Sequence, residues 1–193
     1  MANEIDKTKL TSSSNYRKIL YELVKERSFK FGEFILSSGK KSNYYFDGKQ
    51  VTLHPLGAYT LAKVIIENIK DENIQAIGGP TIGADPIVGS LAPVCYLEGL
   101  NLKLFIVRKT AKEHGGKRLI EGPKLLPSDR VAILDDVLTT GSSIIKAIEA
   151  VKDVGCPVVK IIVLVDRLEG GTEKIESMGL KVDSIFTMRD FDL

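Results

Sequence analysis

Five short runs rich in Val, Ile and Leu, separated by amphipathic segments, constrain this chain more than any other feature. The runs are Ile74 to Gly78, Leu102 to Arg108, Arg130 to Asp135, Val158 to Val165 and Val182 to Met188. Between them lie helical patterns. One begins at about residue 57, with Leu61, Val64, Ile65 and Ile69 on one face. Pro86 to Glu98 forms an apolar second. Ser142 to Val154, with Ile144, Ile148 and Val151 on one side, forms a third, and Thr172 to Met178 a shorter fourth. Strands with no polar alternation are buried on both faces, so the reading is α/β: a mostly parallel sheet flanked by helices. In such sheets ligands bind beyond the carboxyl ends of the strands.

Two elements precede this alternation. Tyr16, Ile19, Leu20, Leu23 and Val24 recur with helical spacing. The runs Phe31–Leu36 and Ser42–Asp47, around a Gly-containing turn, read as a hairpin. No repeat or low-complexity linker divides the 193 residues, so we expect a single domain spanning residues 1–193.

Composition excludes several classes. Hydrophobic residues make up 44% and charged residues 27% of the chain, as in ordinary globular proteins. The longest aliphatic stretch, Ile161 to Val165, is far short of the ~18 residues a membrane span needs. Met1 to Leu10 is polar, with no secretory h-region. Cys95 and Cys156 sit among apolar residues and read as core thiols, which points to the cytoplasm. A net charge of +2 argues against nucleic acid as a partner. The charge is nonetheless concentrated. Residues 103–118 carry Lys103, Arg108, Lys109, Lys112, Lys117 and Arg118 against Glu113 alone, a surplus of five that leaves the rest at −3. Such a segment suggests a local anion site.

The third strand runs into Asp135-Asp136-Val137-Leu138-Thr139-Thr140-Gly141-Ser142-Ser143, and a helix follows. Two carboxylates at a strand tip can accept hydrogen bonds from sugar hydroxyls or face a hydrated Mg²⁺. Small residues opening onto a helix N-terminus make a phosphate cradle from backbone N–H groups and hydroxyls. The bland reading is a helix cap on Thr140 or Ser142 beside a solvated acidic turn. The unbroken order of apolar strand, two acids and T-T-G-S-S favours the functional one. Neither G-x-x-x-x-G-K-[ST] nor a post-strand G-x-G-x-x-G is present, which excludes the commonest nucleotide-binding motifs. Gly78-Gly79-Pro80-Thr81-Ile82-Gly83-Ala84-Asp85 forms a second Gly-rich turn, explained equally well by phosphate contact or tight packing.

The Asp135–Ser143 run resembles the phosphoribosyl pyrophosphate (PRPP) motif of type I phosphoribosyltransferases. Three other segments narrow the resemblance to the orotate phosphoribosyltransferase family. Arg108-Lys109-Thr110-Ala111-Lys112-Glu113-His114-Gly115 is similar to that family's catalytic loop, R-K-x-x-K-x-H-G. Ser38-Gly39-Lys40-Lys41-Ser42-Asn43-Tyr44-Tyr45-Phe46 is similar to its N-terminal hood, and Asp166-Arg167-Leu168-Glu169-Gly170-Gly171 to its D-R-x-E-G-G segment. The match spans residues 29–171 in the family's order. It implies a type I phosphoribosyltransferase fold with a helix-plus-hairpin hood (about 1–50), a core (about 51–193) and a catalytic loop (about 108–122).

The resemblance implies transfer of ribose 5-phosphate from PRPP to N1 of orotate, giving orotidine 5′-monophosphate and pyrophosphate, in pyrimidine biosynthesis. PRPP would contact Arg108, Lys109, Lys112, His114 and the Asp135–Ser143 run, including Val137 and Leu138. Asp135 and Asp136 would face the ribose and favour the positive charge developing at C1. Arg108, Lys109, Lys112 and His114 would stabilise the departing pyrophosphate, with Lys112 first in importance and His114 next. Orotate would be held by Arg167 through its carboxylate, by Tyr45 and Phe46 through its ring, and by Thr139. Of Tyr44, Tyr45 and Phe46, one is expected to be plain hairpin core. Mg²⁺ would be held mainly through PRPP, with at most a water-mediated contact to Asp135 or Asp136. The polar stretch 109–127, with Gly115, Gly116 and Gly122, exceeds the about 12–15 residues usual for a structureless loop and reads as a mobile lid. His54 takes the bland reading. The family pattern also implies a homodimer whose loops reach the partner's site.

Two departures stand out. Many relatives carry a lysine where this chain has Gly83, and another just before the hood's Ser-Gly, where it has Ser37. Both are thought to touch PRPP, so neither Gly83 nor Ser37 is assigned that role. Two other readings compete. A phosphoribosyltransferase for another base would lack Arg167 and the hood in this form. A catalytically silent PRPP-binding regulator would have lost the basic loop or gained a further domain.

Overall fold

A computed structural model describes residues 13–35, 41–110 and 119–191. Helix α1 (Ser13–Arg27) leads into an antiparallel hairpin, β1 (Phe29–Ile35) and β2 (Lys41–Phe46). One turn of helix, α2 (Lys49–Thr52), and α3 (Pro55–Ile69) follow. The core continues through β3 (Ala76–Pro80), α4 (Ala84–Leu97), β4 (Lys103–Val107), β5 (Ile120–Glu121), β6 (Val131–Leu138), α5 (Ser142–Asp153), β7 (Val158–Asp166), α6 (Gly171–Glu176) and β8 (Val182–Thr187), and ends in a 3₁₀ turn, Met188–Phe191.

Sheet order among the described residues is β5-β4-β3-β6-β7-β8, parallel except for β5. Chain order therefore reverses between β3 and β6, and crevices open beyond strand ends at such a reversal. The sheet separates two apolar cores. Leu134, Ile162 and Leu164 pack with α1, α3 and α4, including Leu20, Ile65 and Leu91. Ile133, Ile161 and Val163 pack with α5 through Ile144, Ile148 and Val151. Covered faces require continuous apolar strands, and the sequence shows them. Phe29 ties the hairpin to the core, its ring lying 5.1 Å from both Phe46 and Phe191.

Cys95 and Cys156 are buried thiols, and the Cys156 thiol donates to the Leu126 carbonyl at 3.0 Å. Burial pushes both thiols up, away from reactivity. His54 caps α3, its Nδ1 accepting from Gly57 N. No helix among the described residues is long and apolar enough to cross a membrane.

Three sequence expectations need correction. β6 does not end at Asp135: it continues to Leu138, with Val137 opposite Val165 and Leu138 opposite Asp166. The partner strand β7 runs on to Asp166, so backbone pairing carries the ladder past two polar side chains. The 109–127 stretch is not structureless throughout. Ile120 and Glu121 pair with Val107 and Ile106, and Leu125 is buried. Gly122 packs rather than loosens the chain, since a Cβ there would lie 2.6 Å from the Leu104 carbonyl oxygen. Lys103 does not join the basic cluster. It binds Asp129 at 2.7 Å at the entry of β4, five residues and roughly 16 Å from Arg108.

Candidate active site

The acid pair lies at the chain reversal. Asp135 and Asp136 are buried, 6% and 7% exposed, and as strand neighbours they send their side chains to opposite faces. Asp135 meets α5: Ser143 Oγ donates to its Oδ2 at 3.2 Å, and Asp136 N to its Oδ1 at 2.9 Å. Asp136 meets α2: Lys49 Nζ lies 3.7 Å from its Oδ2. The turn after β3 closes over both, and a Cβ on Gly83 would lie 2.2 Å from Asp135 Oδ1 and 2.4 Å from Asp136 Oδ1. Burial pushes the Asp135 carboxyl well above the ordinary carboxylate range, and the charge of Asp136 adds to this. Burial also raises Asp136, opposed by the Lys49 ammonium. The pair thus favours its negative charge on Asp136.

The cradle beyond β6 is set by glycines. Gly141 stands before α5 at φ 74, a left-handed conformation that favours glycine, and no side chain caps the helix. The Thr140 and Ser142 hydroxyls lie 3.1 Å apart beside it. Its leading N–H groups thus have no side-chain cap and suit an anion. Gly171 presses on this turn from below: a Cβ there would lie 2.4 Å from the Thr139 carbonyl oxygen. Asp166 holds that support, its carboxylate accepting from Leu168 N and Thr172 Oγ1 at 2.8 and 2.6 Å. Arg167 N donates to the Leu138 carbonyl at 2.9 Å, joining the exits of β6 and β7.

The Arg167 side chain is largely buried. Its Nε is 2.9 Å from Glu169 Oε1 without hydrogen-bond geometry, and its guanidinium lies 5.9 Å from the Tyr44 ring centroid. Arg108 N donates to the Leu119 carbonyl at 2.8 Å, and its Nη1 faces Glu121 at 3.3 Å. Lys109 is exposed on the same neck. Lys112, His114 and Ser37 lie outside the described residues.

The structure therefore brings together Asp135, Asp136, Ser143 and the 139–143 turn, with Arg167 at the neighbouring strand exit. Phe46 is the core residue of the hairpin triplet, 4% exposed against Phe29. Tyr45 lies on the hairpin's other face with Phe34, 40% exposed. Tyr44, given no role from sequence, is the ring beside Arg167. Lys49 and Gly171 were also missed as site residues. An isolated lysine carries no pattern, and the support given by Gly171 depends on two strand exits meeting.

A phosphoribosyl transferase domain matches residues 48–188. The chain is 46% identical over 177 residues to orotate phosphoribosyltransferase of Aquifex aeolicus, covering 90% of this chain and 96% of that one. It is 43% identical over 177 residues to the Nostoc orotate phosphoribosyltransferase, covering 92% and 85%. This chain belongs to the orotate phosphoribosyltransferase family. The Mycobacterium tuberculosis orotate phosphoribosyltransferase bound to Fe(III) dicitrate superposes with a TM-score of 0.82 at 38% identity, over 92% of this chain and 99% of that one. A second structure of that protein, in complex with PRPP, superposes at 0.77 with 34% identity over the same shares.

Gly83, where the sequence resemblance would place a lysine, is packed against the acid pair. Gly83→Ala is expected to lower turnover roughly tenfold by rotating both carboxylates. Its melting temperature should change little, because the new methyl meets two side-chain ends rather than backbone. Kinetics and thermal unfolding of the purified variant check both halves, and unchanged kinetics would show that the carboxylates need no such support.

Proposed function

We propose that the chain transfers ribose 5-phosphate from PRPP to N1 of orotate, releasing pyrophosphate, in pyrimidine biosynthesis. The observation that carries this reading is the buried acid pair enclosed between two glycine-shaped turns at the chain reversal. The 5′-phosphate sits in the Thr139–Ser143 cradle at the N-terminus of α5. Asp135 and Asp136 face the ribose, and their negative charge favours the cationic C1 as the bond to pyrophosphate breaks and the bond to N1 forms. Arg108, Lys109, Lys112 and His114 receive the charge that builds on pyrophosphate. Arg167 leaves Glu169 to pair with the orotate carboxylate, with Tyr44 or Tyr45 along the ring and Thr139 donating from the cradle.

No group of three metal-ligating side chains exists among the described residues. Two neighbouring carboxylates fall short of a resident metal site but fit Mg²⁺ held mainly by PRPP oxygens, with water between the ion and the acid pair. When bound, the ion neutralises diphosphate charge and eases its departure.

The test is PRPP-dependent loss of orotate absorbance in the presence of Mg²⁺, with uracil, adenine, hypoxanthine and guanine run in parallel. Consumption of another base would sink the assignment of Arg167. No reaction with any base, in protein that binds PRPP, would leave a silent regulator. Lys112→Ala should lower turnover at least about tenfold with the fold intact, and wild-type turnover would remove Lys112 from the mechanism. A homodimer belongs to the same proposal, each chain lending its 108–122 loop to the other. Mixing the impaired Lys112→Ala and Arg167→Ala chains should then give more activity than either alone, because one mixed site carries neither change.

A further inference from the structure

Hood and core meet through three charges, Asp47, Lys49 and Asp136, of which the family motifs include only the last. Asp47 follows β2, and its carboxylate accepts from Lys49 N and Gln50 Nε2, both at 3.1 Å. Lys49 opens α2, and its Nζ lies 2.9 Å from Asp47 Oδ1 and 3.7 Å from Asp136 Oδ2. That Asp136 oxygen is enclosed and accepts no hydrogen bond. Gly48 walls it in, since a Cβ there would lie 3.0 Å from it. The other oxygen faces the turn at Gly83. Among the described residues, the ion pair of Asp136 is with Lys49 alone. Asp135 and the Val137 N–H also favour the charged form, but the charge of Lys49 is the strongest influence set against the burial of Asp136, and it is the ammonium nearest the oxygen that has no hydrogen bond.

We propose that Lys49 is a positioning residue: it sets the charge and aim of Asp136 toward the ribose of PRPP, and it does so from the hood side of the molecule. The proposal rests on the reading that the acid pair faces the ribose. Burial draws the lysine down, but the hydrogen bond to Asp47 and the charges of Asp136 and Asp47 outweigh this and hold it above the ordinary lysine range, so it stays a cation. At Gly48 a Cβ would crowd Asp136 at 3.0 to 3.3 Å, so the glycine lets the carboxylate lie close against the backbone. The pairing therefore depends on α2 lying against β6, a contact between segments almost ninety residues apart in sequence.

The experiment compares Lys49→Met, Lys49→Arg, Asp136→Asn and the Lys49→Met/Asp136→Asn double variant. Each is assayed for kcat and for the KM of PRPP and of orotate, beside wild-type protein whose orotate consumption is measured first. Lys49→Met should lower kcat/KM for PRPP by roughly tenfold and leave the KM of orotate unchanged. Lys49→Arg should recover most of the loss, and the double variant should be no worse than Asp136→Asn alone. Where Lys49→Met does not fold, Lys49→Gln, which keeps a donor for Asp47, takes its place. Additive losses in the double variant, or wild-type kinetics in folded Lys49→Met, would overturn the role of Lys49 and leave the acid pair standing. Wild-type kinetics in Asp136→Asn would overturn the reading of the acid pair itself, and the proposal with it.

Discussion

Asp135→Asn is expected to yield a more stable and far less active protein. The amide keeps the size of the carboxylate and, through its one oxygen, the acceptor for Asp136 N, while its nitrogen donates to Ser143 Oγ once that hydroxyl turns to accept. It removes an acid whose carboxyl burial holds well above its ordinary range. An acid raised in the folded state binds its proton more tightly there than in the unfolded chain, so stability falls as pH climbs above the unfolded value of ~3.9. Relative to wild type, the variant should therefore gain stability at neutral pH. The melting temperature should rise by about 2–4 °C for each kcal/mol relieved. The gain should shrink as pH falls and vanish below the ordinary carboxylate range, where both states of the wild type are protonated. Turnover should drop roughly a hundredfold, because one of two groups aimed at the developing charge is gone. Thermal unfolding from pH 4 to pH 8, beside orotate kinetics, reads both. A lower melting temperature at neutral pH would mean that the folded protein stabilises the Asp135 anion, contrary to its surroundings. The acid pair in this reading trades stability for function.

Gly79→Ala carries the largest expected structural cost. A methyl there would stand 1.8 Å from the Leu134 carbonyl oxygen and 2.9 Å from Ala84 Cβ. The first obstacle is backbone of the neighbouring strand, so β3 and β6 must separate where the acid pair is held. Overpacking of this kind costs roughly 3 kcal/mol or more, equivalent to a fall on the order of 10 °C in melting temperature. Urea unfolding measures it, and a loss below about 1 kcal/mol would show that β3 can move away from β6 freely. At Gly83 the obstacle is two carboxylates and the expected effect is kinetic; at Gly79 it is a carbonyl in the sheet and the expected effect is on folding.

These two positions show where sequence reading stops. Gly78-Gly79-Pro80-Thr81-Ile82-Gly83 admitted phosphate contact and tight packing equally. The structure divides the run: Gly78 and Gly79 are spaces for Phe105 and Leu134, while Gly83 belongs to the acid pair. The hood was legible as a hairpin, yet which of Tyr44, Tyr45 and Phe46 faces inward depended on strand register. Phe46 pairs with Phe29 and Tyr44 with Phe31, which puts these two on one face and Tyr45 on the other. The basic segment read as a single anion site, but Lys103 and Arg108 stand at opposite ends of β4, Lys103 paired with Asp129 from beyond the loop and Arg108 with Glu121 at the loop's far end.

The sequence by itself determined the main helices and strands, though not α2 or β5, together with their order and the chemical type of the site. Periodicity reports which side chains face apolar surroundings, and the run from Asp135 to Ser143 is local, so one stretch of chain holds its chemistry. Tertiary structure alone decided how the acid pair is charged and how the cradle is held. Burial, the ammonium of Lys49, the backbone of Gly48 and Gly83, and the support from Gly171 come from segments far apart in sequence. Electrostatic and packing terms act through space over a few ångströms, and nothing in the spacing of residues along the chain records them.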